Sequence, residues 1–337
     1  HLDNFADLIL TTKDSKTKLR ADQFVEDQLN INAEGMSAED LNKLIKKKNL
    51  TFKGEEFEEI KDFNLMFSTK VGASAEATES YLRPETCQSI FPNFKLIMET
   101  SRQKLPFGIA QIGKAFRNEI SPRDFLFRMR EFEQMELEFF IHPEEKTCKE
   151  LTNEHRELQF QFLSAGIQDQ GKQDLVMITL NDILAKGLLT EWHGYWIAEM
   201  YFWYTKVLGI RVENLRVREH MKKELSHYSS ATFDLDYKFP FGFKELQGIA
   251  NRGCYDLQQH AQHSKQKLEV FDEQSQKSVI PSVIEPSQGL DRLFLVMLFE
   301  AYDQNERGNI VLHLSSKLAP YYCAVFPLVR NKPEIAV

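Results

Sequence analysis

Across residues 105–140 apolar and polar side chains largely alternate, the period of strands whose successive residues point to opposite faces. The pattern breaks at Ile120-Ser121-Pro122-Arg123-Asp124, where Pro and Asp favour a turn, so it predicts a hairpin with a strand on either side. On the outgoing strand Arg117 and Glu119 share a face. On the returning strand Arg128, Arg130, Phe132, Gln134, Glu136 and Glu138 share one face, and Met129, Met135, Leu137 and Phe139 share the other, which Glu131 and Glu133 interrupt. One face therefore reads as core at its far end. The other reads as guanidinium and carboxylate groups around one aromatic ring.

Helical spacing predicts the remaining elements. Ser37-Ala38-Glu39-Asp40 has the form of a helix start, with Leu41, Leu44 and Ile45 on one side and Lys46, Lys47 and Lys48 in the last turn. That lysine run is expected to be a solvated helix end rather than an RNA contact. Residues 91–102 and 144–163 read as helices. Trp192, Tyr195, Trp196, Glu199 and Trp203 fall on another, whose aromatic stripe is expected to pack in the core. Residues 233–246 return to strand character, and 290–302 form an apolar helix. There is no internal repeat and no GxxxxGK[ST] phosphate loop.

Composition narrows the class. The 337 residues suffice for a large domain plus part of another, and 42% hydrophobic with 27% charged residues describes an ordinary globular protein. No apolar run reaches the roughly 18 residues of a membrane span, and His1-Leu2-Asp3-Asn4 is not a signal peptide. Cys87, Cys148, Cys254 and Cys323 form no C-x-x-C pair, so reduced thiols in the cytosol are expected, with neither disulfides nor a zinc site. The net charge of −8 argues against a bulk nucleic-acid binder, yet leaves room for a local basic patch that meets phosphates.

The polar face of the hairpin admits two readings: one wet side of an ordinary hairpin, or a nucleotide platform. In the second, arginines take phosphates, a ring takes the base and carboxylates take an amine. The spacing Arg117-x-Glu119, loop, Arg128-x-x-x-Phe132-x-x-x-Glu136 resembles motif 2 of the class II aminoacyl-tRNA synthetases. Glu285-Pro286-Ser287-Gln288-Gly289-Leu290-Asp291-Arg292 resembles motif 3 of the same class, in the right order. YLRPET (81–86), FRNEISPR (116–123), GIANRGCYDL (248–257), VIEPSQGLDR (283–292) and LAPYYCAVFPLVRNKPEI (318–335) are similar to glycyl-tRNA synthetases of the homodimeric type. The resemblance covers essentially the whole chain.

It implies an α+β fold, a class II antiparallel sheet flanked by helices, followed by the start of an α/β anticodon-binding domain. Residues 1–60 would follow motif 1 and carry a helical insertion, with motif 1 itself lying before His1. Residues 61–314 would form the catalytic domain, and 315–337 would begin an anticodon-binding domain that is cut short.

The implied reaction is that of a glycine–tRNA ligase. Glycine carboxylate attacks the α-phosphate of ATP to give glycyl-adenylate and pyrophosphate, and glycyl then passes to the terminal adenosine of tRNA(Gly). By motif position Arg117 is catalytic, holding the α-phosphate and the glycine carboxylate. Glu119 accepts from the adenine amino group, Phe132 stacks on the ring, and Arg128 and Arg292 reach the γ-phosphate. Glu85, Glu136 and Glu285 surround the glycine ammonium, and Ser287 stands where a Cβ methyl would otherwise go. Arg83, Glu245 and Arg252 are expected along the pocket. Magnesium accompanies ATP, with Glu285, Glu269, Asp272 and Glu273 as candidate ligands, and no zinc is expected. The resemblance further implies a cytoplasmic homodimer that does not enter membranes. The alternatives are another class II synthetase or a noncatalytic, synthetase-derived nucleic-acid-binding subunit; loss of the ATP arginines would mark the latter, and Arg117, Arg128 and Arg292 are all present.

Overall fold

Near the amino terminus, β1 (Ala6–Thr11) lies between β2 (Lys18–Arg20) and β3 (Lys61–Asn64) in an antiparallel three-stranded sheet. The computed structural model describes residues 5–325 other than 30, 32, 34, 73–77, 227–228 and 274. Helices α1 (Ala21–Leu29) and α2 (Ala38–Lys48) cover this sheet, and Leu10, Phe24, Val25, Leu41 and Ile45 share one small core. Ser37 caps α2 by accepting from the Asp40 N–H, and Asn49 in the left-handed conformation ends its lysine-rich last turn. β3 opens the segment read as catalytic, yet it pairs with β1 of the amino-terminal segment.

An exposed hairpin of β4 (Ser68–Val71) and β5 (Thr78–Tyr81) leads into α3 (Cys87–Ser101). The main sheet has eight strands. Their order is β6 (Phe107–Phe116), β7 (Glu131–Ile141), β15 (Ser282–Gly289), β12 (Gly242–Gly253), β11 (Ala231–Phe239), β10 (Leu215–Glu219), β8 (Gln159–Leu163) and β9 (Val176–Thr179). Neighbours run antiparallel except β10 and β8, which are parallel. Short helices α4 (Asn153–Glu157), α5 (Ala165–Gln168) and α6 (Leu180–Ala185) join the far strands. One face of the sheet is covered by α7 (Glu191–Phe202) and α9 (Leu290–Ala301), which bury Trp192, Ile197, Ile249, Ile284 and Val296. The other is covered by α3 and α8 (Tyr255–Ser264), which bury Ile90, Phe94, Phe140 and Leu257. Two more hairpins, β13 (Val270–Asp272) with β14 (Lys277–Val279) and β16 (Tyr302–Gln304) with β17 (Ile310–Leu312), complete the fold.

The structure removes one alternative and corrects two expectations. Neither face of β7 is wet along its length: Phe139 packs on Trp192 and Phe140 on Phe94, with ring centroids 5.1 and 4.7 Å apart, and Gln134, Glu136 and Glu138 are buried. Burying Phe140 alone contributes about 1.5–3 kcal/mol. The hairpin strands also stop short of Arg117, Glu119, Arg128 and Arg130, because Asp124 and Phe125 take left-handed conformations and Phe125–Phe127 coil into a single 3₁₀ turn. Those four side chains stand on a loop. Residues 144–163 are not one helix: Thr152 caps a five-residue α4, and Gln159–Leu163 follows as a strand whose alternation buries Phe160 and Phe162.

The aromatic helix and the 290–302 helix form as α7 and α9. Of the segment 315–337, residues 315–325 form turns and no strand, and 326–337 lie outside the described residues, as does His1.

Candidate active site

The site grows from the register of three strands. β7 and β15 set Glu136 opposite Ser287 and Gln134 opposite Gly289, while β12 sets Ala250 opposite Glu285. β15 runs directly into α9 at Leu290, so Arg292 sits in the first turn of that helix, beside the strand it follows. These strand ends floor a cleft of about 530 Å³, whose lining includes Glu85, Arg117, Glu119, Arg128, Phe132, Glu245, Ser287 and Arg292. Eight of the residues expected to form the site thus face one space.

Each guanidinium in the cleft is held in place. The Arg117 Nε donates to the Pro84 carbonyl at 3.1 Å, and its Nη2 lies 3.6 Å from the Glu85 carboxylate. Its guanidinium carbon is 5.4 Å from the ring centroids of both Phe5 and Phe132. Arg128 donates to Glu119 at 3.2 Å, and the Arg130 Nε donates to the Glu119 carbonyl at 3.2 Å. Arg292 lies over the Phe127 ring at 4.4 Å and donates to the Glu245 carbonyl at 2.6 Å, with the Glu245 carboxylate 3.6 Å away. Contacts of this kind fix where a guanidinium points while keeping its charge, the arrangement suited to binding phosphate oxygens.

Glu136 and Glu285 lie behind the floor rather than on it. The Glu136 carboxylate accepts from the Thr86 hydroxyl, the Cys87 N–H, the Gln134 amide at 2.7 Å and the Ser287 hydroxyl at 2.9 Å. Burial pushes its pKa above the usual carboxylate value, and the nearby Glu85 adds to that, against the hydrogen bonds. Glu285 accepts from Arg252 and is pushed up to about 8 by burial, with Glu136 and Glu85 adding to the rise and Arg252 opposing it. The expected carboxylate trio is therefore coupled by charge, but only Glu85 and Ser287 face the cleft.

Two expected pocket residues do not line it. Arg83 turns towards β6, donating to the Lys114 carbonyl and the Ser89 hydroxyl, each at 2.8 Å. Arg252 is buried as a clamp between Glu285 and Asp256. Among the magnesium candidates, Glu269, Asp272 and Glu273 stand at or on the β13–β14 hairpin away from the cleft lining, and Glu273 pairs with Lys104 at 2.7 Å.

Some lining residues escape sequence reasoning. Phe5, Asp7 and Arg20 form one wall from the amino-terminal sheet, joined by an Arg20–Asp7 ion pair at 3.1 Å. Nothing local in the sequence signals them. Gln134 is different: it donates to both Glu136 and Ser287 and accepts from the Thr86 N–H, and its strand parity with Phe132 and Glu136 was the available signal.

Residues 67–302 match the family described as the tRNA synthetase class II core domain (G, H, P, S and T). The chain is 42% identical to the glycine–tRNA ligase of Caldanaerobacter subterraneus subsp. tengcongensis over 100% of its own length and 66% of that protein's. It is 42% identical to the glycine–tRNA ligase of Acetivibrio thermocellus over 98% of its own length and 65% of the relative's. It is 41% identical to that of Staphylococcus aureus, again over 98% and 65%. The chain thus spans just under two thirds of the length of these curated relatives.

Proposed function

We propose that this chain, which belongs to the family of class II tRNA synthetase core domains (G, H, P, S and T), is the catalytic part of a glycine–tRNA ligase. The observation that carries this reading is the shape of the cleft. Arg117, Arg128 and Arg292 share one space with the Phe132 ring, and that space closes at Glu85 and Ser287 over the buried carboxylates of Glu136 and Glu285. An amino acid with no side chain offers only an ammonium and a carboxylate as handles. A small cavity end that is negative rather than apolar suits it, and relatives of this chain carry the name of that activity.

In this reading Arg117 holds the α-phosphate and the glycine carboxylate as the two meet. Phe132 stacks on adenine, Glu119 accepts from its amino group, and Arg128 and Arg292 bind the γ-phosphate. No protein nucleophile is needed, because positioning and neutralisation of phosphate charge supply the rate. Glu85 faces the ammonium directly, while Glu136 acts through its hydrogen bonds to Ser287 and Gln134. Ser287 would exclude larger amino acids by collision. Magnesium, which neutralises triphosphate charge when bound, needs oxygen ligands facing the cleft. The exposed carboxylate of Glu245, beside Arg292, fits that need better than buried Glu285.

Glycyl-adenylate then transfers glycyl to the terminal adenosine of tRNA(Gly). The working enzyme is a cytoplasmic homodimer in this proposal; light scattering at micromolar concentration checks its assembly, and a clean monomer counts against it. ATP–pyrophosphate exchange run against a panel of amino acids tests the activity. Glycine alone should support exchange; exchange supported by another amino acid instead, or by none, overturns the reading.

A further inference from the structure

The register that sets Ile284 opposite Phe139 and Ser287 opposite Glu136 runs through Glu285 and Glu138, two carboxylates on neighbouring strands. Two carboxyl groups buried side by side resist ionising together unless a cation offsets them. Cys87, the first residue of α3, brings a thiol to the same point. Its sulfur and one carboxylate oxygen each from Glu138 and Glu285 all lie within 4.8 Å of one another. Cys87 and Glu138 are completely buried, and Glu285 is 6% exposed. Among the described residues neither oxygen of Glu138 has a hydrogen-bond partner, although buried carboxylates normally acquire one. Arg252 supplies positive charge here but is shared between Glu285 and Asp256. With Glu85 and Glu136 close by, the pocket carries a surplus of carboxylates.

We propose that Cys87, Glu138 and Glu285 form a binding site for a thiophilic divalent cation of the zinc type. From such separations small side-chain rotations bring the three atoms to a shared centre with bonds of about 2.0–2.3 Å to sulfur and oxygen. The sulfur selects against magnesium, which takes oxygen ligands and keeps its waters. Binding forms metal–sulfur and metal–oxygen bonds and breaks the S–H bond of Cys87 and the O–H bond of either carboxyl that is protonated, and those protons leave to solvent. The Cys87 sulfur donates to Glu85 at 3.4 Å, and Glu85 lines the cleft, so the cleft is the route in. If the cleft takes glycine as proposed above, a dication beneath Glu85 repels the ammonium and raises the glycine KM.

The test is a titration of chelator-treated protein with Co²⁺, with no amino acid or ATP present, following sulfur-to-cobalt charge-transfer absorption and proton release. The parent should bind one equivalent. Cys87→Ser should lose the charge-transfer band, and Glu138→Gln should bind Co²⁺ more than about tenfold more weakly while melting within a few degrees of the parent, since among the described residues neither Glu138 oxygen makes a hydrogen bond that the substitution would break. A band that survives Cys87→Ser places the cobalt at Cys148, Cys254 or Cys323 and overturns the proposal. Failure of the parent to bind one equivalent, or unchanged affinity in Glu138→Gln, does the same. Because glycine and ATP are absent, such a failure leaves the ligase reading intact, and the exchange assay judges that reading separately.

Discussion

Glu136→Gln keeps the shape of the side chain and removes its charge, and the contacts of Glu136 fix what that costs. One oxygen accepts from the Thr86 hydroxyl and the Cys87 N–H; the other accepts from the Gln134 amide and the Ser287 hydroxyl. A glutamine amide replaces one of those oxygens with a donor, so two donors then face it. A hydroxyl can turn away. The Cys87 N–H cannot, and the Gln134 amide is pinned because its own oxygen accepts from the Thr86 N–H at 3.1 Å. At least one buried N–H is left without a partner on either choice, a cost of about 1–3 kcal/mol. Denaturant unfolding should show that loss, and a change below about 0.5 kcal/mol would refute the geometry. Exchange kinetics read the functional side. Because Glu136 touches Ser287 and Gln134 rather than the phosphate-facing arginines, the glycine KM should rise more than the ATP KM. An ATP defect with an intact glycine KM would assign this carboxylate to the nucleotide instead.

Arg117→Ala should lower pyrophosphate exchange by about 10²–10³, the usual effect of removing one donor from a developing charge; activity within a few-fold of the parent would remove Arg117 from the α-phosphate. Phe132→Ala should weaken ATP by roughly 1–3 kcal/mol in KM while leaving the melting temperature near that of the parent, and an unchanged KM would mean that the ring only supports Arg117. His193 is buried and pushed down to about 4 by burial, although its Nε2 donates to the Ile249 carbonyl at 2.9 Å. Its folded value lies below the unfolded value of about 6.5, so the unfolded chain takes up the proton first. The stability it contributes is present above pH 6.5 and is lost as pH falls towards 4, by about 3 kcal/mol in all. In His193→Phe, unfolding followed between pH 4 and 7 should lose that part of the slope, and a profile identical to the parent's would show that another group is responsible.

A period of two places Gln134, Glu136 and Glu138 on one face of a strand, and that much is legible in the sequence. Which side the face looks towards is not, because it depends on α3 and α8 arriving from 87–101 and 255–264 to cover it. The same period fails beyond Phe116, where the turn that Pro122 and Asp124 signal runs on into a left-handed Phe125 that no local pattern signals. Residues 144–163 mislead because a capped five-residue helix abuts a five-residue strand, each too short to show its own period against the other. Motif spacing carries Arg117 and Arg128 into one space, since a loop anchored at both ends by a strand pair can only close so far. The wall formed by Phe5, Asp7 and Arg20 comes from another sheet, and no local pattern encodes a contact over that separation.

The distribution of carboxylates follows from what burial costs. Glu119 is answered by Arg128, Glu285 by Arg252 and Glu136 by four donors, which offsets part of what burying each carboxylate costs. Those partners also prevent Glu136 and Glu285 from reaching into the cleft, which leaves Glu85 as the carboxylate placed to meet an ammonium directly. Glycine recognition would then depend on a field set up by several fixed charges and on one direct contact. Such a field is felt by any amino acid, because every one of them carries the same ammonium. In the proposed reading discrimination then comes from the space beside Ser287, whose hydroxyl is held by Gln134 and Glu136.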